Sequence, residues 1–174
     1  MNLERYIRDV PGFPKKGIIF KDIMPLLGDI AALREAARQL AEPYESSGVE
    51  VVTGVESRGF IFGAMVADLL GVGFVPIRKP GKLPAETISE SYELEYGSDS
   101  IEIHTDAVKP GQKVLMVDDL LATGGTMAAA CRLVKRLGGG IVGVTFVIEL
   151  CFLSGRQELE PLDVAVHSLI KVEK

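Results

Sequence analysis

Two adjacent acids, Asp118 and Asp119, directly follow the apolar run of residues 114–117. Neighbouring carboxylates resist joint ionisation, so they call for a cation or for hydroxyl donors nearby. If the apolar run is a strand of an open α/β sheet, the two acids emerge at its carboxyl end, where such sheets bind ligands. Sugar hydroxyls or a hydrated Mg²⁺ would satisfy the pair, which therefore predicts a site for a ligand of that kind.

A turn of small residues comes next and leads into a predicted helix; it comprises Ala122, Thr123, Gly124, Gly125 and Thr126. Backbone N–H groups and two hydroxyls at a helix N-terminus favour a bound phosphate. No Lys follows the second glycine, as a P-loop would require, and the GxGxxG dinucleotide pattern is missing. The alternative without function is a buried strand with an incidental acidic end and a glycine-rich helix cap.

The strand, the two acids and the Thr-Gly turn together resemble the motif with which type I phosphoribosyltransferases bind 5-phosphoribosyl 1-pyrophosphate (PRPP). The resemblance implies a single α/β domain with a central, mostly parallel sheet flanked by helices, a small N-terminal hood and a flexible catalytic lid. It implies that Asp118 and Asp119 hold the ribose, while residues 122–126 bind the 5′-phosphate. It also implies Mg²⁺ as cofactor, carried by PRPP and reaching the two acids through water, with no direct protein ligand.

Two N-terminal segments, residues 13–14 (Phe-Pro) and 17–23 (Gly-Ile-Ile-Phe-Lys-Asp-Ile), are similar to the base-binding hood of adenine-specific members of the family. By this resemblance the hood spans about residues 1–28, and the adenine-binding residues are Ile19, Phe20, Lys21 and Leu150. A main-chain carbonyl that accepts from the 6-amino group of adenine would oppose the 6-oxo group of hypoxanthine. Many relatives have Arg in place of Lys21, so its side chain is as consistent with a solvated lysine as with a binding role.

Residues 54–60, Gly-Val-Glu-Ser-Arg-Gly-Phe, look like the pyrophosphate loop of the family. By that resemblance, backbone N–H groups of Ser57 and Arg58, together with the Arg58 guanidinium, would hold the leaving pyrophosphate. A surface arginine in an ordinary salt bridge is the alternative.

A basic run, Arg78, Lys79 and Lys82, opens a segment that resembles the catalytic lid, about residues 79–99. The resemblance implies that these cations neutralise developing pyrophosphate charge, and it implies a homodimer whose interface they can act across. A charge run is also typical of a solvated face, and Lys82 suits either interpretation. Prolines, glycines and alternating charges fill the lid, with little that could be buried, and a half-exposed strand around residues 101–104 is expected to return to the sheet.

Glu95 lies in a Leu-Glu-Tyr-Gly setting like that of the family, which implies that it handles the purine proton and is catalytic together with Arg58. Related hypoxanthine-guanine enzymes have an acid where this chain has Ala122, so a base contact from that position is absent here. Nothing else in the sequence distinguishes Glu95 from the other lid acids, Glu86, Glu90 and Glu93.

The elements that must position these residues follow from hydrophobic periodicity. Four buried strands are predicted, at residues 49–53, 73–77, 113–117 and 141–148, and helices at about 60–70 and 126–137 separate them. Asp29 is a plausible N-cap of a helix over about residues 30–44, with Ile30 and Leu40 on its apolar face. The spacing of Leu3, Tyr6, Ile7 and Val10 predicts a short leading helix.

The 174 residues suffice for one domain, and the formal charge of −5 argues against nucleic-acid binding. No apolar run approaches the roughly 20 residues that span a bilayer, and the first ten residues lack the pattern of a secretory signal. Cys131 and Cys151 show no metal-binding spacing, and His104 and His167 have no partner pattern. A cytoplasmic protein without membrane or nucleic-acid partners is therefore expected.

The resemblances together imply a Mg²⁺-dependent pentosyltransferase of purine salvage. Adenine and PRPP would be its substrates, and AMP and pyrophosphate its products. Two alternatives stay open: transfer to another purine, such as xanthine, guanine or hypoxanthine, or a PRPP-binding regulator without activity. The hood and Ala122 favour adenine, while a regulator would need a basic face or a DNA-binding extension.

Overall fold

A computed structural model describes residues 1–93 and 97–173 of the chain. In chain order its strands and helices are β1 (Arg8–Pro11), β2 (Ile19–Asp22), α1 (Met24–Gly28), α2 (Ile30–Ala41), β3 (Val51–Val55), α3 (Arg58–Leu70), β4 (Gly73–Ile77), β5 (Thr87–Glu93), β6 (Ser98–His104), β7 (Lys113–Leu121), α4 (Gly125–Arg136), β8 (Gly140–Leu150), α5 (Gly155–Leu159) and β9 (Val166–Val172). Short 3₁₀ turns lie at Leu3–Tyr6, Glu42–Tyr44, Cys151–Leu153 and Glu160–Leu162.

Five parallel strands form the central sheet in the order β4-β3-β7-β8-β9. Val51 at the start of β3 pairs with both Gly73 of β4 and Val114 of β7. The chain first steps outward from β3 to β4 and then returns past β3 to β7, so the strand order reverses between β3 and β7. In doubly wound sheets such a switch point opens a crevice beyond the carboxyl ends of the strands. The crevice between β3 and β7 is therefore where a ligand is expected.

Two layers of apolar side chains cover the sheet. One face packs against α2 and α3 around Leu40, Phe62 and Leu115, and the other packs against α4 and the β5–β6 hairpin around Ile103 and Leu133. All five of these side chains are at most 1% exposed. The predicted fold class, a single α/β unit with a parallel sheet flanked by helices, is confirmed.

All four predicted strands lie in the sheet, and β4 has the predicted bounds. β7 extends four residues past its predicted end to Leu121, so Asp118 and Asp119 lie within the strand and not after it. The cause is β8, an 11-residue strand whose Ile148 and Glu149 pair with Leu120 and Leu121. The fifth strand, β9, was not predicted from the sequence.

The predicted leading helix is wrong. Leu3–Tyr6 form one 3₁₀ turn, and the chain then becomes strand β1, which pairs antiparallel with β2. Ion pairs reinforce the register: Arg8 Nη2 lies 2.5 Å from Asp22 Oδ2, and Lys21 Nζ lies 2.7 Å from Asp9 Oδ1. Cross-strand pairing of charged residues far apart in sequence thus overrides the helical spacing of the first ten residues.

The expected strand near residues 101–104 exists as β6, but it does not join the central sheet as predicted. It pairs antiparallel with β5 in a separate hairpin, and a single bridge between Arg78 and Glu102 links this hairpin to the end of β4. Tyr92 of β5 is only 7% exposed. Residues 87–93 of the segment predicted as an irregular lid are therefore an ordered strand that packs on α4.

Helix α2 begins where predicted, because Asp29 Oδ1 accepts from the backbone N–H groups of Ala31 and Ala32 at 2.9 Å. The α-helix ends at Ala41 and continues as the turn Glu42–Tyr44. Ile30, predicted on the apolar face, is 61% exposed, whereas Leu40 is fully buried. In the described ranges no helix is long and apolar enough to cross a membrane.

Replacing Leu40 with Ala is expected to lower the free energy of unfolding by about 2–5 kcal/mol, because a fully buried side chain leaves a cavity. Ile30→Ala on the same helix is the matched control and should change it by about 0.5 kcal/mol or less. Urea denaturation followed by circular dichroism measures both. Equal losses for the two variants would contradict the burial assigned to α2.

Candidate functional site

An ion pair spans the switch point between β3 and β7. Arg58 is the first residue of α3, and its Nε donates to Asp119 Oδ2 at 2.5 Å. Asp119 is 6% exposed, while the Arg58 side chain keeps 37% of its surface accessible. Among the described residues only the Nε of Arg58 finds an acceptor, so its two Nη groups remain available for the oxygen atoms of an anionic ligand.

Asp118 lies beside this pair, and its ionised form is disfavoured by its surroundings. Its Oδ1 accepts from the Asp119 backbone N–H at 2.9 Å. Burial, and then the charge of Asp119, raise the pKa of Asp118 well above its usual value, although Arg58 opposes the shift. A Cβ on Gly59 would lie 2.7 Å from Asp118 Oδ1, so only glycine lets the start of α3 approach this carboxyl. Such a carboxyl favours a cation or a hydrogen-bond donor from a ligand.

The predicted phosphate turn, residues 122–126, leads directly into α4, a 12-residue helix that begins at Gly125. Gly124 adopts φ +88°, a conformation that residues with a side chain rarely take. Thr123 is exposed, and the first backbone N–H groups of α4 have no partner within the helix. The turn thus has the geometry of an anion site, because it lies at the N-terminus of α4, where the helix dipole is positive and backbone N–H donors are free of helical partners.

Glu56, which lies in the predicted pyrophosphate loop but was given no role there, organises the loop before α3. Its carboxylate accepts from Arg78 Nη2 at 3.1 Å, from Arg78 Nε at 3.3 Å and from the backbone N–H of Lys79 at 3.0 Å. These bonds, led by that from Arg78, lower the pKa of Glu56. Ser57 follows as an exposed residue at the start of α3, across a cis peptide bond from Glu56. The sequence did contain a signal for these contacts: an acid precedes Ser-Arg, and a basic run follows the next strand.

The three cations predicted to enter the lid take different positions. Arg78 is held by Glu56, donates to the Lys82 carbonyl at 3.3 Å and lies over the Phe60 ring at 5.9 Å. Lys79 forms an ion pair with Asp99 and donates to the Tyr92 hydroxyl at 3.1 Å. Only Lys82 is exposed.

Asp99 and Tyr92 were not predicted from the sequence, because their role depends on the β5–β6 pairing that sets Tyr92 opposite Asp99. Together with Lys79 they tie the Glu93–Ser98 end of this hairpin to the residues after β4. The sequence contains no local pattern that would have identified this contact.

The N-terminal hairpin carries the predicted base-binding residues. Ile19 is 53% exposed at the start of β2, and the Phe20 ring meets the Phe13 ring edge to face, with centroids 5.3 Å apart. The Lys21 side chain is engaged with Asp9, so within this structure its ammonium group serves the hairpin.

Asp22, also missed from the sequence, holds the end of this hairpin. Its Oδ1 accepts from the Met24 N–H at 2.9 Å, and its Oδ2 accepts from Arg8. The Met24 bond, the Arg8 bond and, more weakly, the charge of Arg58 lower its pKa.

Leu150 is the last residue of β8 and lies half-buried at the same edge of the sheet as the two acids. Its neighbour Glu149 is 4% exposed and accepts two hydrogen bonds from Arg156, at 2.5 and 2.7 Å. Glu95, the predicted proton-handling residue, lies outside the described residues.

A cavity of about 570 Å³ opens between the β5–β6 hairpin and α4, and its lining includes Tyr92, Glu93, Thr123, Gly125, Arg132 and Glu158. It joins the phosphate turn to the hairpin. Within residues 1–93 and 97–173, no group of three or more His, Cys, Asp and Glu side chains is arranged to hold a metal ion. Any cation at Asp118 and Asp119 would need further ligands from water or from a bound substrate.

Comparisons with known proteins agree with this geometry. Residues 26–172 match the family model of the phosphoribosyl transferase domain. The adenine phosphoribosyltransferase of Nitrosococcus oceani is 58% identical over 168 residues, which are 97% of this chain and 97% of that protein.

Two solved structures are similar over nearly the whole chain. Adenine phosphoribosyltransferase from Thermoanaerobacter pseudethanolicus superposes with a TM-score of 0.93 at 54% identity and covers 98% of both chains. The Saccharomyces cerevisiae enzyme, solved with adenine and an imino-altritol bisphosphate, gives a TM-score of 0.89 at 42% identity over 96% of each chain. The resemblance found in the motifs is confirmed, and the chain belongs to the adenine phosphoribosyltransferase family.

Proposed function

We propose that this protein transfers the ribose 5-phosphate of PRPP to N9 of adenine and releases AMP and pyrophosphate, a reaction of purine salvage. The observation that carries the proposal is the Arg58–Asp119 contact, which sets the loop after β3 beside the acids of β7 at the switch point. In the reaction the bond from C1 of the ribose to pyrophosphate breaks, the bond from C1 to N9 forms, and the N9 proton leaves.

The ribose phosphate end of PRPP would lie along β7 and the turn that follows. Asp118 and Asp119 would accept hydrogen bonds from the ribose hydroxyls. These bonds would stabilise the ionised form of Asp118, whose pKa is raised in the protein alone. The 5′-phosphate binds the N–H groups of residues 122–126, where the dipole of α4 adds to the attraction. Fixing both ends of the sugar presents C1 to the base in one orientation.

The leaving pyrophosphate would bind at the start of α3. The two Nη groups of Arg58, which donate to no described residue, and the backbone N–H groups of Ser57 and Arg58 would be the donors for its oxygens. Arg78 and Lys79 are bound by acids in this structure, so a role at the pyrophosphate requires them to exchange Glu56 and Asp99 for the ligand. Lys82 is exposed and can approach without breaking such a bond.

The two acids suit a Mg²⁺ ion that arrives with PRPP. They are adjacent, they lie next to a single arginine, and the described residues supply no set of three ligands around them. Water and substrate oxygens would supply the remaining ligands, since Mg²⁺ binds oxygen atoms and usually keeps several waters. When bound, Mg²⁺ offsets the charge that develops on pyrophosphate as it leaves.

Adenine would lie between the N-terminal hairpin and the end of β8. Main-chain groups of Ile19 and Lys21 read its edge, Phe20 and Leu150 cover its faces, and a carbonyl facing the 6-amino group would repel a 6-oxopurine. Glu95 would accept or hold a proton of the imidazole ring once the lid closes. Closure also excludes water, which would otherwise hydrolyse PRPP.

The same family assignment supports a homodimer with lids near the partner subunit. Free thiols at both Cys131 and Cys151 support a cytoplasmic location, because disulfides are rare in that compartment.

Incubation with PRPP, Mg²⁺ and one base at a time is expected to give nucleotide from adenine alone. The physical reason is the pair of opposed acceptors that a 6-oxopurine would create at the hairpin backbone. Chromatography of the products with adenine, hypoxanthine, guanine and xanthine measures this. Turnover of a 6-oxopurine alone would refute the adenine assignment, and PRPP binding without any turnover would favour a regulator.

Removal of divalent cations with EDTA is expected to abolish AMP formation, and added Mg²⁺ should restore it. The charge on pyrophosphate otherwise has only protein cations to offset it. Initial rates over a Mg²⁺ titration measure the effect. Full activity in EDTA, with metal content checked by mass spectrometry, would show that no cation takes part.

Arg58→Gln is expected to lower kcat/KM by about a hundredfold or more, because it removes charge-assisted donors at the leaving group. Arg38→Gln is the matched control: Arg38 also pairs with carboxylates, those of Glu35 and Glu42, but lies on the solvent-exposed face of α2. Steady-state kinetics with thermal unfolding of both variants separates activity from folding. An Arg58→Gln variant as active as the control would remove Arg58 from the site.

A further inference from the structure

The phosphate turn rests against a second backbone segment, the start of α5. A Cβ built on Gly124 would lie 2.3 Å from the carbonyl oxygen of Gly155, and a Cβ on Gly155 would lie 2.3 Å from the carbonyl oxygen of Ala122. Both distances are far below any real contact, so the two glycines allow backbone to pack on backbone. The position of the turn is therefore set by the position of Gly155.

The residue after Gly155 fixes that position. Arg156 donates from Nε and Nη2 to the two carboxylate oxygens of Glu149, at 2.5 and 2.7 Å, and from Nη1 to the Val166 carbonyl at 3.0 Å. All three guanidinium nitrogens of Arg156 thus donate within the protein, and the planar group connects α5 to both β8 and β9. A lysine could not reproduce this bidentate geometry.

Glu149 also anchors the other side of the turn. It is 4% exposed and pairs within the sheet with Leu121, the last residue of β7 and the one directly before the turn. The sheet thus holds the beginning of residues 122–126, while the same Glu149, through Arg156 and Gly155, supports their middle. The Arg156–Glu149 ion pair, whose carboxylate is buried, therefore connects the two supports.

We propose that Arg156, Glu149 and Gly155 are positioning residues for the phosphate turn: they set the backbone N–H groups that bind the 5′-phosphate without touching the substrate themselves. The inference rests on the proposed function only in taking residues 122–126 as the phosphate site. The affinity of the turn for a phosphate monoester would then depend on the Arg156–Glu149 ion pair, which does not contact the phosphate. A shift of the turn by a fraction of a bond length misaligns several N–H groups together.

The proposal distinguishes phosphate binding from base binding. Gly155→Ala displaces the turn by adding a methyl group, and Arg156→Gln releases α5 while keeping a polar side chain. Both are expected to weaken the binding of ribose 5-phosphate, measured by calorimetry, and to raise the KM for PRPP by about tenfold to a hundredfold, the range for lost hydrogen bonds to a charged group. The KM for adenine should stay within about twofold, because the hairpin and Leu150 are untouched.

Conservative and matched variants test whether the effect is only structural. Arg156→Lys keeps the charge but not the bidentate contact, and should give an intermediate loss of ribose 5-phosphate affinity. Gly73→Ala is the control for Gly155→Ala, because a Cβ on Gly73 would meet nothing within 4 Å. Thermal unfolding of each variant defines the temperature at which the folded protein is assayed.

Equal rises in the KM for PRPP and for adenine, or a lower melting temperature with unchanged ribose 5-phosphate affinity, would overturn the proposal. Calorimetry with ribose 5-phosphate needs no catalysis, so it keeps the two questions apart. If the unaltered protein binds ribose 5-phosphate but makes no AMP, the proposed function fails, and loss of that binding in the variants still supports the positioning role.

Discussion

The contact between Arg58 and Asp119 connects the two halves of the site. A carboxylate that is 6% exposed is costly to bury without a partner, and Arg58 is the cation that supplies one. Because Arg58 opens α3 and Asp119 lies in β7, their pairing fixes the start of that helix over the end of that strand. The unfavourable charge that remains falls on Asp118, which makes the crevice receptive to a cation or to hydroxyl donors.

Glycine allows the close approaches that this arrangement needs. A side chain at Gly59 would strike Asp118, and side chains at Gly124 or Gly155 would strike backbone carbonyls. Since these contacts join β7 to α3 on one side and the phosphate turn to α5 on the other, the site is built from backbone packed at short range. Such packing has few alternative arrangements, so it holds N–H groups in a fixed geometry before a ligand arrives. The cost is a set of positions where almost no substitution can be accommodated.

The sequence predicted the parts whose signals are local. The four strands, the helices α3 and α4, the Asp29 cap and the acid–turn–helix order of residues 118–126 are all present. Predictions failed where pairing between distant residues decides the outcome. The first residues show helical spacing yet form β1 because Arg8 and Asp9 meet Asp22 and Lys21 across the hairpin. Likewise, the segment taken for a loop contains β5, which needs β6 as its partner and α4 beneath Tyr92.

The sequence by itself determined the fold class, the family and the two loops that meet at the switch point, because each is encoded by residue types at short, fixed spacing. Only the tertiary structure decided which cation meets which acid: Arg58 with Asp119, Arg78 with Glu56, Lys79 with Asp99 and Arg156 with Glu149. The sequence offers several possible acidic partners for each of these cations, and spacing along the chain does not show which one it contacts. The choice depends on which side chains the sheet order and the helix packing bring within hydrogen-bonding distance, and that information exists only once the chain has folded.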